Sequence, residues 1–175
     1  MQVYNDEYLY HHGIKGMKWG HHKVKVDSGK YKSIISNRDE PVILGENHKS
    51  TFAKVLGQII PTLKRHQDKF KDYDLLDREG NKVGGISTFA INKNTCNIPW
   101  LDVDKKYRGS GHAQSAIRQI IKDSKRKGYK QVTLEVPTHS PDARHIYEKN
   151  GFVAGRQITD SSDVWGGLTE LKLKL

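Results

Sequence analysis

The sequence predicts a mixed α/β (α+β) domain with a mostly antiparallel sheet and helices that flank it. Three strand patterns separated by short turns follow one another between residues 73 and 103, which predicts an antiparallel meander. Apolar residues at helical spacing occur before and after this meander. The predicted order is therefore strands, helices, three strands, helix, strand, helix and two strands, and 175 residues suffice for one such domain plus a tail.

The first elements precede the meander. The segments "YKSIISN" and "PVILG" are short strand candidates. A helix is expected to begin behind Ser50 or Thr51 as its N-cap, and Pro61, which has no amide hydrogen, should kink it or start a second helix. The apolar stripe of this helix comprises Phe52, Val55, Leu56, Ile59, Ile60 and Leu63.

The later elements are more sharply marked. "YDLLDREGNKVGGISTFAIN" reads as two strands around a turn at residues 78–81, and "CNIPWLDV" as the third strand of the meander. A helix then follows, with basic residues in its last turn and a stop at Gly128. "KQVTLEV" is a strand, Ser140 and Pro141 begin a helix that ends before Gly151, and "FVAGRQI" and "LTELKLKL" are the last strands. The core face of the helix before Gly128 is formed by Ala113, Ala116, Ile117, Ile120 and Ile121.

The composition limits the partners. Thirty Lys and Arg against 20 Asp and Glu give a formal charge of +10, which favours a polyanion such as nucleic acid, an anionic membrane or a phosphate-rich cofactor. The single cysteine, Cys96, cannot form an internal disulfide, and the first fifteen residues lack the apolar core of a signal peptide. With no apolar run near the roughly 20 residues of a membrane span, we expect a cytoplasmic protein that does not enter the membrane.

Residues 1–25 differ from the rest of the chain, because "YLYHHGIKGMKWGHHKVKV" is rich in Gly, His and Lys and has no regular period. We therefore expect a tail or docking arm at 1–25 and one domain at 26–175. The pairs His11-His12 and His21-His22 fit no standard zinc spacing, so no metal site is predicted.

The segment "YRGSGHA" places two glycines directly before the helix that ends near Gly128. The first amides of a helix have no intrahelical partner and attract anions, and Gly109 and Gly111 would let a phosphate approach the backbone. Arg108 and His112 add side-chain donors. The alternative is a tight connection between strand and helix without a ligand.

Two motifs identify a family resemblance. "V-D-K-K-Y-R-G-S-G-H-A" resembles the acetyl-CoA signature R/Q-x-x-G-x-G/A of the GNAT N-acetyltransferase superfamily, with Arg108, Gly111 and Ala113 in the defining places. "S-P-D-A-R-H-I-Y-E-K-N-G-F" resembles the later motif of that family, in which Ser140 replaces a common Asn. The resemblance implies a GNAT fold over roughly residues 31–175, including a splayed pair of parallel strands.

The resemblance also implies a site. Acetyl-CoA would be the co-substrate and a primary amine the acceptor: a protein lysine, a protein N-terminus or a small amine. The pyrophosphate would lie on the glycine turn, and the pantetheine arm would pair with strand backbone near Val103, whose amide could stabilise the oxyanion. The implied cofactor-binding residues are Leu101, Val103, Arg108, Gly109, Ser110, Gly111, His112, Ala113, Ser140, Ala143 and Tyr147.

Two residues are candidates for proton transfer. Tyr147 matches the usual general acid of the family, with core packing as its alternative role. Leu134-Glu135-Val136 is similar to the L-E-V of ribosomal-protein N-terminal acetyltransferases, which makes Glu135 a candidate base; a solvated carboxylate, Asp102 or a water chain remain alternatives. Cys96 lacks the surroundings of an activated thiolate.

Two other classes of function remain open. A nucleic-acid module would use the basic run from Lys105 to Lys130, but only Tyr107 and Tyr129 supply aromatic rings there, which argues against it. The tail segment "HHGIKGMKWG" resembles segments of phage head and morphogenesis proteins. That likeness implies a phage-encoded chain in the host cytoplasm, whose residues 1–25 dock to a virion or host protein, and allows a catalytically silent GNAT-like interaction module.

Overall fold

The computed structural model describes residues 26–27, 29–37, 39–49, 51, 54, 69–138, 140–159 and 167–175. Within these ranges the strands are β1 Ser33–Ile35, β2 Ile43–Glu46, β3 Phe70–Leu76, β4 Lys82–Asn92, β5 Thr95–Val103, β6 Gln131–Pro137, β7 Val153–Thr159 and β8 Leu168–Lys174. The helices with described bounds are α1 His112–Arg126 and α2 Pro141–Lys149, and a short 3₁₀ turn covers Lys105–Tyr107. The tail at 1–25 and nearly all of the helix predicted from Ser50 or Thr51 onward, including its apolar stripe and Pro61, lie outside the described residues.

The described strands form one sheet in the order β1-β2-β3-β4-β5-β6-β8-β7. Every neighbouring pair is antiparallel except β5 and β6, which are parallel and are joined by α1. This arrangement confirms the predicted mixed class, the meander β3–β4–β5 and the parallel pair.

The main core lies between the sheet and helix α1. Ala116, Ile117 and Ile120 of α1 are buried against strand residues such as Ile98 and Leu134, as their helical spacing predicts. Because Cys96 pairs with Val132 and Ile98 with Leu134, these four side chains share the face that α1 covers. Tyr147 of α2 packs on the same cluster, so both helices cover one face.

Two polar contacts hold α1 in place over the sheet. Arg118 donates to both carboxylate oxygens of Glu40 at 2.6 Å, and Gln119 donates to the carbonyl of Val42 at 2.7 Å. Burial alone would raise the pKa of Glu40, but the hydrogen bonds and charge of Arg118 lower it below the usual value. These contacts fix the first half of α1, and therefore the turn that precedes it.

The chain carries a β-bulge in the middle of β5. Ser87 pairs with Trp100 and Phe89 with Asn97, so a single residue of β4, Thr88, opposes two residues of β5, Ile98 and Pro99. Proline cannot donate to a ladder and is tolerated at such irregularities. The extra residue shifts the alternation: Leu101 and Val103 again face the core, while Trp100 and Asp102 lie on the opposite face of the sheet.

Among the described residues, no helix has the length and apolarity to cross a bilayer. In the same ranges no three His, Cys, Asp or Glu side chains converge on a common point suited to a metal ion, and the His pairs of the tail lie outside them.

Candidate active site

The glycine turn, residues 108–113, is open to solvent. Gly109 and Gly111 have φ angles of 80° and 78°, which other L-residues adopt at a cost, and a Cβ at either position would meet no atom within 4 Å. The 3₁₀ turn before it is closed by the Tyr107 amide, which donates to the Asp104 carbonyl at 2.8 Å. The two glycines therefore leave the backbone at the start of α1 uncovered.

Backbone donors lie at this uncovered turn. The Ser115 amide donates to the Gly111 carbonyl at 2.9 Å, so the amides of residues 111–114 have no acceptor within the helix. Nδ1 of His112 lies 3.1 Å from the Tyr107 carbonyl, which places the proton on Nδ1 and ties the ring to the 3₁₀ turn. Arg108, Lys105 and Lys106 are exposed beside it. Unpaired amides and nearby cations make this a site suited to an anion such as a diphosphate.

Next to the turn, β5 and β6 separate. Their pairing covers Thr95–Ile98 with Gln131–Leu134, although β5 continues to Val103 and β6 to Pro137. We call residues 95–98 the paired half of β5 and residues 99–103 the open half. Beyond Ile98 the two strands therefore enclose a gap.

The backbone of the open half points into this gap at alternate residues. The Asp104 amide donates to the Val83 carbonyl at 2.9 Å, so residues 102 and 104 direct their backbone groups toward β4. By the alternation of an antiparallel ladder, Leu101 and Val103 direct theirs away from β4, toward β6. An extended ligand could pair with these groups as an added strand.

Arg108 links the turn to this strand. Its Nε donates to the Val103 carbonyl at 2.8 Å, and its Nη2 lies 3.2 Å from Oδ1 of Asp102. The guanidinium thus holds one of the carbonyls that faces the gap. The sequence motif placed Arg108 near the phosphate, but contained no signal for these two contacts.

The second helix begins at the same edge of the sheet. Parallel strands end side by side, so the start of α2 after β6 lies near the end of β5. Ser140 occupies the N-cap position of this helix, but the expected capping hydrogen bond of its hydroxyl is absent. Only the Ser140 carbonyl bonds to the helix, where it accepts from the Arg144 amide at 3.1 Å. Ser140 and Ala143 are both half-buried there.

Tyr147 and Glu135 lie on opposite faces of the sheet. Tyr147 packs edge-to-face on Phe152, with ring centroids 5.8 Å apart, against the cluster that contains Val103 and Val136. Burial raises the pKa of Tyr147 to about 12. Glu135 is exposed on the other face, between buried Leu134 and Val136. The predicted acid and base are therefore both near the gap end of β6, but they are not in contact across one face.

Cys96 lies in the paired half of β5 and is buried. Burial raises the pKa of its thiol, which keeps it protonated and disfavours a nucleophilic role.

A sheet with one splayed parallel pair, and a glycine turn that opens a helix beside the splay, is typical of acyl-CoA-dependent acyltransferases. Residues 45–152, which are more than half of the chain, match the model of the Acetyltransferase (GNAT) family. The chain belongs to this family. It is an acyl-CoA-dependent N-acyltransferase that uses acetyl-CoA as co-substrate and an amine as acceptor. Residues 2–26 match a separate model, described as a family of unknown function (DUF7211). No curated protein matches the chain.

Solved structures share the fold at low identity. A GNAT family acetyltransferase from Elizabethkingia anophelis with acetyl-CoA bound has a TM-score of 0.61 and 14% identity, covering 78% of this chain and 100% of its own. The IAA acetyltransferase from Bacillus cereus ATCC 14579 has a TM-score of 0.60 and 16% identity, covering 77% and 99%. A spermidine N-acetyltransferase from Vibrio cholerae in complex with CoA and spermine has a TM-score of 0.57 and 18% identity, covering 69% and 74%.

Proposed function

We propose that this chain acetylates a primary amine of a small, cationic acceptor, with the glycine turn and the open half of β5 as the acetyl-CoA site. The observation that carries the proposal is that the glycine turn and the open half of β5 lie next to each other. Unpaired amides at the start of α1 lie directly beyond a strand edge whose backbone groups face a gap. A diphosphate on the turn would lead the pantetheine arm along that edge toward the sheet interior.

Each predicted binding residue receives a role in this proposal. Arg108, Gly109, Ser110, Gly111, His112 and Ala113 would hold the diphosphate, mainly through backbone amides. Leu101 and Val103 would pair with the pantetheine arm, and Ser140 and Ala143 would line its other side from the start of α2. The Val103 amide would also donate to the thioester oxygen as negative charge develops there.

The chemical step requires one bond to form and one to break. The neutral amine nitrogen forms a C–N bond to the thioester carbon, and the C–S bond then breaks to release the thiolate of coenzyme A. The proton lost by the amine passes to Glu135, or to Asp102 or water if the carboxylate of Glu135 is too far. Because Glu135 and Tyr147 lie on opposite faces, the amine would arrive on one side of the sheet and the sulfur would leave on the other.

The environment of Tyr147 refines its role. A phenol with a pKa of about 12 is fully protonated at neutral pH, but it is a weaker acid than an ordinary thiol, whose pKa is near 8.5. Complete proton transfer to the thiolate would therefore be uphill. A hydrogen bond from Tyr147 to the departing sulfur fits this pKa better than full transfer.

The acceptor class is supported by charge and by the solved structures that share the fold. The spermidine N-acetyltransferase from Vibrio cholerae binds spermine, a small polycation. In this chain two exposed carboxylates, Asp102 and Glu135, lie on the face from which the amine would arrive. A protein lysine or N-terminus remains the alternative, to which the L-E-V similarity of Glu135 points.

We also propose that residues 1–25 are a docking arm, separate from the domain at 26–175. The support is that two different family models match residues 2–26 and 45–152 without overlap. The phage-like segment suggests a virion or host protein as the partner of this arm, in the cytoplasm of the host.

The experiment is an acetyl-transfer assay of the full chain with acetyl-CoA and a panel of amines: spermidine, butylamine, a lysine-containing peptide and a peptide with a free N-terminus. Release of the coenzyme A thiol and the mass of the product are measured. Acetylated spermidine is expected as the main product. If no thiol were released with any amine, the chain would act as a catalytically silent GNAT-like module. A preference for either peptide would contradict the small-amine acceptor.

A further inference from the structure

A cavity of about 250 Å³ lies under the last turns of α1, between that helix and the sheet. Lys71 of β3, Ala90 of β4 and Cys96 of β5 line one side of it, and Ile120 and Ser124 of α1 line the other. The glycine turn lies at the opposite end of α1, which has 15 residues and is therefore about 20 Å long. The cavity is thus separate from the proposed acetyl-CoA site.

The interior of the cavity is built from buried side chains of mixed chemistry. Thr88 and Ser124 supply hydroxyl groups, Cys96 a thiol and Ile120 an apolar surface, and all four residues are buried. Tyr129 also lines the cavity, and burial raises the pKa of its phenol, so its hydroxyl stays protonated at neutral pH and can donate. A ligand in the cavity would therefore meet hydrogen-bond donors beside apolar surface.

The one carboxylate among the described lining residues is already paired. Asp123 is 5% exposed; its Oδ1 accepts from Nη2 of Arg126 at 2.6 Å, and its Oδ2 accepts from Nζ of Lys127. A buried carboxylate is stable only when it is paired in this way. Because both of its oxygens are occupied by cationic partners, Asp123 offers little to a cationic ligand.

Cationic groups outnumber carboxylates around the cavity. Glu46, which contacts the lining residue Lys71 at 3.1 Å, also lies 3.8 Å from Lys32, so it has two cationic partners, as Asp123 has. Lys69 lines the cavity, is exposed and makes no ion pair with any residue that the structure describes. Five cationic groups against two carboxylates leave a surplus of three positive charges. An anion is the ligand that this surplus favours.

We propose that this cavity is a second binding site of the chain, for a small organic anion. Its carboxylate or phosphate group would lie among Lys69, Lys71 and Lys127, which supply charge-assisted hydrogen bonds, and its short apolar part against Ala90 and Ile120. At about 30 Å³ for each non-hydrogen atom, the volume limits the ligand to roughly eight such atoms. The site does not depend on acetyl transfer.

The test is a titration of the full chain with butyrate, propyl phosphate and butyramide at constant ionic strength, followed by backbone amide chemical shifts. Butyramide has the shape of butyrate without its charge. Both anions should shift the amides of Ile120, Ser124 and Tyr129 saturably, with Kd values at least about tenfold lower than that of butyramide. The same shifts should occur with saturating coenzyme A, because the two sites are separate.

Two variants test whether the anion lies in the cavity. Lys69→Gln removes a cation that has no ion pair to lose, and should weaken butyrate binding about threefold to tenfold with an unchanged free energy of unfolding. Ala90→Leu fills part of the cavity and should abolish the saturable shifts in a chain that urea unfolding shows to be folded. The control is Lys125→Gln, which removes an exposed charge of α1 outside the cavity and should leave the Kd within twofold.

Several results would overturn the inference. Equal Kd values for butyrate and butyramide would contradict an anion as the ligand, and so would the absence of saturable shifts with either anion. An unchanged Kd in Ala90→Leu, or equal losses in Lys69→Gln and Lys125→Gln, would contradict the cavity as the place of binding. Shifts confined to residues 108–113 that disappear with coenzyme A would assign the anion to the glycine turn instead. A chain that transfers acetyl to no amine would refute the proposed function and leave this inference standing.

Discussion

The two halves of β5 contrast in what pairs with them. The paired half, residues 95–98, lies between β4 and β6, whereas the open half, residues 99–103, pairs with β4 alone. Both halves direct alternate side chains into the core, so hydrophobicity does not separate them. The bulge at Pro99 does, because it marks where pairing with β6 ends. One strand can therefore belong to the core at one end and form a binding edge at the other.

The largest expected effect comes from replacing one residue in each half of β5 by proline, which removes a backbone amide hydrogen in each of two variants. Val103 and Ile98 have core-facing side chains and amides directed toward the β6 side, but β6 is paired only beside Ile98. Val103→Pro should lower kcat about 10²-fold or more, because it removes the donor proposed for the thioester oxygen, and should destabilise the chain by only about 1–2 kcal/mol.

Ile98→Pro is the matched comparison. It should lose about 3 kcal/mol or more, because a buried ladder bond and core packing disappear together. Urea unfolding and steady-state turnover measure the two quantities. If Val103→Pro lost as much unfolding free energy as Ile98→Pro, or kept a normal kcat, the two halves of β5 would not differ in this way.

The next effect concerns Tyr147, which packs on the core beside the open half. Tyr147→Phe should lower kcat about 10²-fold and leave the Kd of acetyl-CoA unchanged, since only the hydrogen bond to the leaving sulfur is lost. Equal kcat in both proteins would limit Tyr147 to core packing.

The pKa of Tyr147 also predicts the pH dependence. Because the folded-state pKa is about 12, the phenol stays protonated as the pH rises past its ordinary value of about 10. The kcat of the wild-type chain should therefore show no descending limb from this group below pH 10, and the stability from its buried neutral form should decline only as the pH rises above about 10 toward 12. A profile of kcat that falls between pH 8 and 9.5, and does so only when Tyr147 is present, would contradict the raised pKa.

A smaller effect is expected at the turn beside the open half. Gly111→Asp and Gly111→Asn have the same shape, and both residue types tolerate positive φ better than most. The aspartate should weaken acetyl-CoA binding at least about tenfold relative to the asparagine, because its charge repels the diphosphate. Titration calorimetry compares the two; equal Kd values would exclude the turn as the anion site.

The smallest effect belongs to the paired half. Cys96→Ala should cost about 1–2 kcal/mol of unfolding free energy, because the buried sulfur leaves a small cavity. Turnover should be unchanged within twofold. A large loss of activity at normal stability would give the paired half a role that its pairing does not explain.

Much of the fold could be predicted from local patterns. The spacing of Ala116, Ile117 and Ile120 and the stop at Gly128 predicted α1 to within a few residues, because an amphipathic helix depends on its own sequence. The alternation of Val132, Leu134 and Val136 predicted β6 in the same way. The bulge at Pro99 was not predicted, although a proline inside an apolar strand is its signal.

The candidate site could be predicted only in its local part. The two motifs led to the glycine turn and to Tyr147, because these depend on consecutive residues. The contacts of Arg108 with Asp102 and Val103, and the approach of the Trp100 ring to Gly85, depend on which strands are neighbours and on the shift at the bulge. Such long-range placement leaves no pattern in a single stretch of sequence, so these contacts could be seen only in the structure.

Amide hydrogen exchange with and without coenzyme A tests the central claim most directly, because it reports on both halves of β5 in one experiment. Slower exchange on binding is expected at Leu101, Val103 and the amides of residues 109–113, with no change at residues 95–98, which are already paired. Protection confined to other parts of the chain, with Val103 and Gly111 exchanging as before, would contradict it.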